Sequence, residues 1–324
     1  MSTFVRLAQT SQTLSLAAME EASRQGLRQA DLEHLFLALV LSDQPAGEVL
    51  RELGITIDRA RRAVDEQHAA QLASLGIDTT LPEPGRIVFH ETAGYEWRRR
   101  ASDVLVRASR RGLDGSAGAV LRVLVSEPSG LIAELLRRLG TTPADVVDRL
   151  DRLAPPADGD RPVRGNGSIG GSSETFVPAP IEDVWEFLAD PARVPDWAPG
   201  IGSVDLADTA GTAWIGYAPT SRPDGKPVRL RAEFRRRRLE LLETRRPDRV
   251  AWRFTSPDTA KSGPIVTEFA LAPTTGGTRV TITTSWGRRH GWRRVLGLPL
   301  RPAARFLAWI TLFQIGAAIS RAFR

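Results

Sequence analysis

Four histidines and no cysteine bound the chemistry open to this 324-residue chain. His34, His68, His90 and His290 show no H-x-x-x-H spacing that would set two imidazoles on one helix face for a metal. Without cysteine there are no thiolate nucleophiles, thiolate metal sites or disulfides, which fits a reducing compartment. No Gly-x-Ser-x-Gly elbow is present to expose a nucleophilic serine. A Walker A loop needs Gly-Lys followed by Ser or Thr, but Lys226 precedes Pro227 and Lys261 follows Ala260. Gly165-x-Gly167-x-x-Gly170 has dinucleotide-type spacing. A Pro/Asp/Arg segment precedes it where a strand is needed, and a strand follows where a helix is needed. His290 stands in the basic run Arg288-Arg289-His290-Gly291, which reads as a surface loop. No catalytic residue, metal or cofactor is expected from these patterns.

The elements that must position any site begin with a duplication. Ala22-Ser23-Arg24-Gln25-Gly26-Leu27 returns as Ala108-Ser109-Arg110-Arg111-Gly112-Leu113, an offset of 86 residues. Leu50-Arg51-Glu52-Leu53-Gly54 returns as Leu136-Arg137-Arg138-Leu139-Gly140 at the same offset. Each copy reads as helices. Asp31 is the expected N-cap of a helix with Leu32, Leu35, Phe36, Leu39 and Val40 on one face, and Gly54 and Gly140 stop the helices before them. Residues 154–172, rich in Pro and Gly, read as a flexible linker.

From Ser173 the period changes to two. The runs are Val228, Leu230, Ala232, Phe234; Val250, Trp252, Phe254; Ile265, Thr267, Phe269, Leu271; and Val280, Ile282, Thr284, Trp286. Such alternation predicts an antiparallel sheet with one apolar face. Thr274-Thr275-Gly276-Gly277 reads as a hairpin turn. The chain closes on a helix from about Pro302 to Phe323 that is apolar nearly all round. One of its sides is expected to face the sheet. The other calls for a protein contact or, through Arg301, Arg305, Arg321 and Arg324, a membrane surface.

The segment Asp31-Leu32-Glu33-His34-Leu35-Phe36-Leu37-Ala38-Leu39, followed by Val49-Leu50-Arg51-Glu52-Leu53-Gly54-Ile55, resembles the N-terminal domain of Clp-type chaperones. With the duplication, the resemblance covers residues 1–153. It implies an all-α double repeat that captures unfolded polypeptides, peptides or adaptor proteins, and in some members phosphorylated arginine. It also implies that Glu33 is the acidic contact to a basic or modified peptide group. Family members continue into ATPase modules, which the failed Walker A test excludes here. At the 86-residue offset Glu33 meets Ala119, so a second acidic site is not expected.

The segment Phe176-Val177-Pro178-Ala179-Pro180-Ile181-Glu182-Asp183-Val184-Trp185-Glu186-Phe187-Leu188, continuing to Pro195-Asp196-Trp197, resembles the START-like polyketide cyclase/dehydrase superfamily. This implies an α+β helix-grip domain over 173–324, a sheet wrapped on a long C-terminal helix with a cavity for an apolar ligand. Seven of the eight tryptophans lie in this half. The candidate cavity residues are Trp185, Leu230, Phe234, Trp252, Phe254, Phe269, Ile282, Trp286, Phe306, Trp309 and Phe313.

Charge is uneven, −2 over residues 1–150 and +8 over 173–324, with nine arginines and no acid after Glu268. The arginines alternate with inward apolar residues rather than with exposed aromatics, so nucleic acid ranks last among partners. The expectation is a two-domain cytoplasmic binding protein without catalysis, joining a polypeptide-recognition module to a domain for an apolar small molecule. The alternative is a polyketide cyclase/aromatase-like enzyme with an N-terminal docking module.

Overall fold

The computed structural model describes residues 3–77, 85–87, 94–110, 113–153, 169–207, 212–221, 225–259, 263–286 and 301–324, with backbone alone at 3–8, 169–170 and 301–307. His90 and His290 lie outside these. The chain divides into two compact units, residues 1–156 and 157–324.

The first unit is all-helical apart from a short parallel pair, β1 (Gln29–Ala30) and β2 (Glu96–Trp97). Its first copy comprises α1 (Thr3–Arg24), α2 (Leu32–Val40), α3 (Pro45–Glu52) and α4 (Ile57–Ser74). The second comprises α5 (Arg99–Ala108), α6 (Ala117–Val125), α7 (Leu131–Arg138) and α8 (Pro143–Arg152). Helix α2 is central, with every one of its residues buried. Its C-terminal carbonyls are held by Arg51 of α3, whose Nη1 donates to Val40 O at 2.7 Å and Ser42 O at 2.8 Å. Arg61 of α4 donates to both carboxylate oxygens of Glu21 on α1, at 2.9 and 2.8 Å, with both side chains buried.

The duplication is real, but its offset is not uniform. Helices α3 and α7 begin at 45 and 131, and α4 and α8 at 57 and 143, an offset of 86. Helices α2 and α6 begin at 32 and 117, an offset of 85. The caps confirm this register. Asp31 is the N-cap of α2 and Ser116 that of α6, where Ser116 Oγ accepts from Ala119 N at 3.2 Å. Ala119 therefore matches His34, and the counterpart of Glu33 is Gly118. The expected pairing with Ala119 is corrected by one residue, because three residues separate Leu113 from α6 where four separate Leu27 from α2, and the loop after α6 is one residue longer than that after α2. Either way, the second copy has no carboxylate here.

The second unit is a seven-stranded, fully antiparallel sheet with helices on one side. In chain order it runs β3 (Ile169–Val177), α9 (Ile181–Ala189), the one-turn α10 (Val194–Trp197), β4 (Ser203–Leu206), β5 (Ala213–Tyr217), β6 (Arg236–Arg245), β7 (Arg249–Thr255), β8 (Ile265–Thr274), β9 (Gly277–Trp286) and α11 (Arg301–Ala322). The strand order is β3-β9-β8-β7-β6-β5-β4. This is a helix-grip fold. The expected β8–β9 hairpin is present, with Thr274 paired to Gly277.

Three expectations need correction. The strand read over Val228 to Phe234 is irregular backbone ending in a 3-10 turn, and the strand is Arg236–Arg245. Its neighbour β5 is five residues long and spends its register on 236–240, so among the described residues no strand pairs with 228–234, where Val228 N donates to Thr220 O at 3.0 Å. Second, the sheet begins at Ile169, inside the stretch read as linker. A Cβ on Gly171 would stand 2.9 Å from Leu312 Cδ1 of α11, so that glycine serves close helix–sheet packing rather than flexibility. Third, the buried stripe of α11 is Ala308, Leu312, Ile315 and Ile319, while Trp309 and Phe313 are half-buried and stack on each other at 5.6 Å. An all-round apolar helix carries no periodicity to say which stripe turns inward. Among the described residues, no helix is long and apolar enough to cross a membrane.

Candidate functional site

Glu33 is the second residue of α2, and its position is set by the helix start. Asp31 Oδ1 accepts from Leu32 N at 2.8 Å, and the Asp31 amide donates to His34 Nδ1 at 3.1 Å. The proton of His34 is thereby placed on Nε2, which donates to Gln25 Oε1 at 3.2 Å. Burial lowers the His34 pKa from its ordinary value, with Glu33, Asp31 and Glu21 acting in the opposite sense. His34 is thus a neutral structural residue. The 3.7 Å approach of Glu33 Oε1 to His34 Nδ1 is no ion pair, because that nitrogen is already an acceptor.

The Glu33 side chain is 9% exposed. Its Oε1 lies 3.9 Å from His68 Nε2, beyond hydrogen-bond reach. Its Oε2 is buried and has no hydrogen-bond partner among the described residues. A buried carboxylate oxygen without a donor is costly, and such an atom marks a place where something can bind. It borders a cavity of about 290 Å³. Helix α4 contributes Gln67, His68 and Gln71, α5 contributes Arg100, and Ser129, Gly130 and Leu131 form the start of α7.

Arg100 brings positive charge to the same lining. Arg100 donates through Nε to Asp31 Oδ1 at 2.7 Å and through Nη2 to Asp31 Oδ2 at 2.6 Å. That bonding raises the Arg100 pKa further and fixes the direction of its guanidinium. Helix α7 starts at Gly130 with no side-chain cap, so its first-turn amides carry the positive end of the helix dipole. A second, larger cavity of about 560 Å³ adjoins Arg100, lined also by Gln29, Trp97, Arg98, Arg99 and Asp103. The site therefore offers an acceptor, Glu33, and a donor, Arg100, while Leu131 N at the start of α7 is held by Ser129 Oγ at 3.3 Å. Such a set suits a group that carries both signs, or a polypeptide segment with a base and an acid close together. Of these residues the sequence pattern singled out Glu33 alone. Arg100 belongs to the run Arg98-Arg99-Arg100, which carries no motif, and only the second copy's packing brings it to Asp31.

The other sequence-predicted positions lie in the second unit. Trp252, Phe254, Phe269 and Ile282 come together in its core, and Trp252 Nε1 donates to Leu188 O at 2.9 Å. Trp286 is half-buried on the same face by register, opposite Ile265. Trp185 sits at the end of the sheet, where its Nε1 donates to Arg249 O at 3.2 Å and Arg246 stacks on its ring. Leu230 and Phe234 are each 37% exposed and belong to no strand. Trp309 and Phe313 stand outside the buried core, and the side chain of Phe306 lies outside the described residues. Sequence reasoning missed Trp197. It packs edge-on against Phe269 at 5.0 Å and Phe254 at 6.2 Å, and its Nε1 is buried without a hydrogen-bond partner. Its place in the turn Val194-Pro195-Asp196-Trp197 gave no periodic signal. Among the described residues, no group of three or more His, Asp or Glu could hold a metal.

Comparison with known proteins follows the two units. Residues 8–86 match the Clp repeat (R) N-terminal domain, and residues 171–310 match the family described as polyketide cyclase / dehydrase and lipid transport. No curated protein matches. Among solved structures, the di-domain ARO/CYC StfQ from the steffimycin biosynthetic pathway is similar at 14% identity, covering 61% of this chain and 60% of its own, with a TM-score of 0.36. The chain thus spans about 60% of the length of StfQ. A START superfamily protein from Mycobacterium smegmatis is similar at 13% identity over 48% of this chain and 97% of its own, with a TM-score of 0.34. Protein CV1439 from Chromobacterium violaceum shows 20% identity over 47% and 96%, with a TM-score of 0.31. The first unit is thus similar to the Clp repeat (R) N-terminal domain and the second to the polyketide cyclase / dehydrase and lipid transport family, each over the residues matched.

Proposed function

We propose that this protein is a binding protein whose first unit recognises polypeptide through Glu33 and whose second unit holds an apolar small molecule. The observation that carries the first half is the unsatisfied, buried Glu33 Oε2 at a cavity also lined by Arg100 and the residues at the start of α7. A basic peptide group on Glu33 would supply the missing donor, and an acidic or modified group would meet Arg100. Recognition is one-sided, because the second copy has Gly118 at the matching position. The second half is supported by the domain family and by the apolar inner face around Trp252, Phe254 and Phe269.

Anisotropy titration of labelled arginine-bearing peptides against the full chain tests the first half. Glu33→Gln is expected to weaken binding about tenfold or more, since it removes a charge-assisted contact. Equal binding by wild type and variant would overturn the assignment. For the second half, native mass spectrometry of the purified chain is expected to show a retained apolar ligand.

A further inference from the structure

Three arginines stand in succession at the start of α5. Arg98 is its N-cap, and Arg99 and Arg100 are its first two residues. Cations at a helix N-terminus work against the helix dipole, which favours acidic residues there. The first turn of α5 holds no acidic residue, and no side chain caps it. Helix stability therefore does not account for the run.

The three differ in how far the protein occupies them. Arg100 donates through Nε and Nη2 to Asp31, which leaves its Nη1 without a hydrogen bond among the described residues. Arg98 approaches Asp31 only to 3.8 Å, with its side chain 59% exposed. Arg99 is exposed and has no ion pair among the described residues. The backbone beneath them is fixed. Arg98 N donates to Ala30 O at 2.8 Å beside the β1–β2 pair, and Trp97 packs on the first core and donates from Nε1 to Ser15 Oγ at 3.3 Å.

Trp97 and the three arginines line the cavity of about 560 Å³. One carboxylate shares that lining, Asp103, which is exposed and makes no ion pair among the described residues. Three guanidiniums against one carboxylate leave the cavity positive. Arg100 also lines the cavity of about 290 Å³ where Glu33 Oε2 is buried without a partner. The two cavities thus share a lining residue, and their charges are of opposite kind.

We infer that the polypeptide read by the first unit is bipolar. Its basic side chain meets Glu33, and acidic side chains of the same segment lie in the larger cavity against Arg98 and Arg99. The inference rests on the reading of Glu33 as the contact to a basic peptide group. It adds a discrimination which Glu33 alone does not supply, since a uniformly basic segment is repelled by the arginine run.

The test is anisotropy titration of the full chain, at low ionic strength, with three labelled peptides. Each carries one arginine, a Gly-Ser spacer and then two aspartates, two asparagines or two lysines. The aspartate peptide is expected to bind about fivefold more tightly than the asparagine peptide, as suits two exposed ion pairs, and the lysine peptide more weakly than either. Raising salt to about 0.5 M is expected to remove these differences. Arg98→Gln with Arg99→Gln is expected to bring the three peptides to one affinity, and Arg98→Lys with Arg99→Lys to keep their order, because charge rather than fork geometry is required. Both positions are exposed, and circular dichroism checks that the helices persist. Equal affinity of wild type for the aspartate and asparagine peptides overturns the inference and leaves the Glu33 reading standing, provided that Glu33→Gln weakens both. So does an aspartate preference that survives the double glutamine change. Binding of the asparagine peptide that is indifferent to Glu33→Gln, or no binding of any peptide, overturns the Glu33 reading and the inference with it.

Discussion

Glu33 and Arg100 reach one cavity from different copies of the repeat, and each is placed by Asp31, one through the helix cap and the other through a bidentate pair. His34 completes that arrangement in its neutral form. Burial holds its pKa below the ordinary 6.5. As pH falls below about 6.5, the unfolded chain takes up a proton that the folded unit resists, so stability is lost on acidification. His34→Gln keeps an acceptor for the Asp31 amide and is expected to flatten the fall in Tm between about pH 7.5 and about pH 5. An unchanged pH profile would show that His34 does not titrate against folding. The Arg61–Glu21 pair makes the opposite case. Arg61→Ala would strand a fully buried carboxylate, at a cost of about 3–5 kcal/mol in denaturant unfolding. The double change Arg61→Met with Glu21→Met is expected to recover much of it. The Arg100–Asp31 and Arg61–Glu21 pairings were not legible in sequence, because their members lie on different helices and no spacing rule links them.

Among the elements, α2 shows how far local pattern reaches. Its N-cap and its apolar run were both readable from Asp31 to Val40. What stabilises its last turn was not, because Arg51 comes from α3 and binds two carbonyls from within the core. Arg51→Ala is expected to cost about 3 kcal/mol by thermal or chemical unfolding, since it orphans two buried acceptors. A loss below about 0.5 kcal/mol would mean that those carbonyls find other donors. Strand β6 shows the converse. The alternation at 228–234 is as regular as that of a strand, yet Leu230, Ala232 and Phe234 are exposed and Val228 only half-buried, because a strand also needs a neighbour in register. Alternation reports which side chains could share a face, not whether a sheet is there to receive them.

At the scale of the whole molecule, two apolar cores with no residue in common stand where the sequence changes period. Calorimetry is expected to show two transitions, with Arg61→Ala lowering one and Trp252→Ala the other. Trp252 is fully buried, so its truncation should cost about 3–5 kcal/mol in its own unit. A single transition lowered by both variants would contradict separate cores. The sequence alone determined the duplication, the change from helical to alternating period, and both family resemblances, because these depend on local spacing along the chain. Tertiary structure decided the rest. It set the one-residue slip that pairs Glu33 with Gly118, left Trp309 and Phe313 only half-buried, and left Glu33 Oε2 without a hydrogen-bond partner among the described residues. Each of these depends on which distant residue arrives at a given face, and packing rather than periodicity controls that arrival.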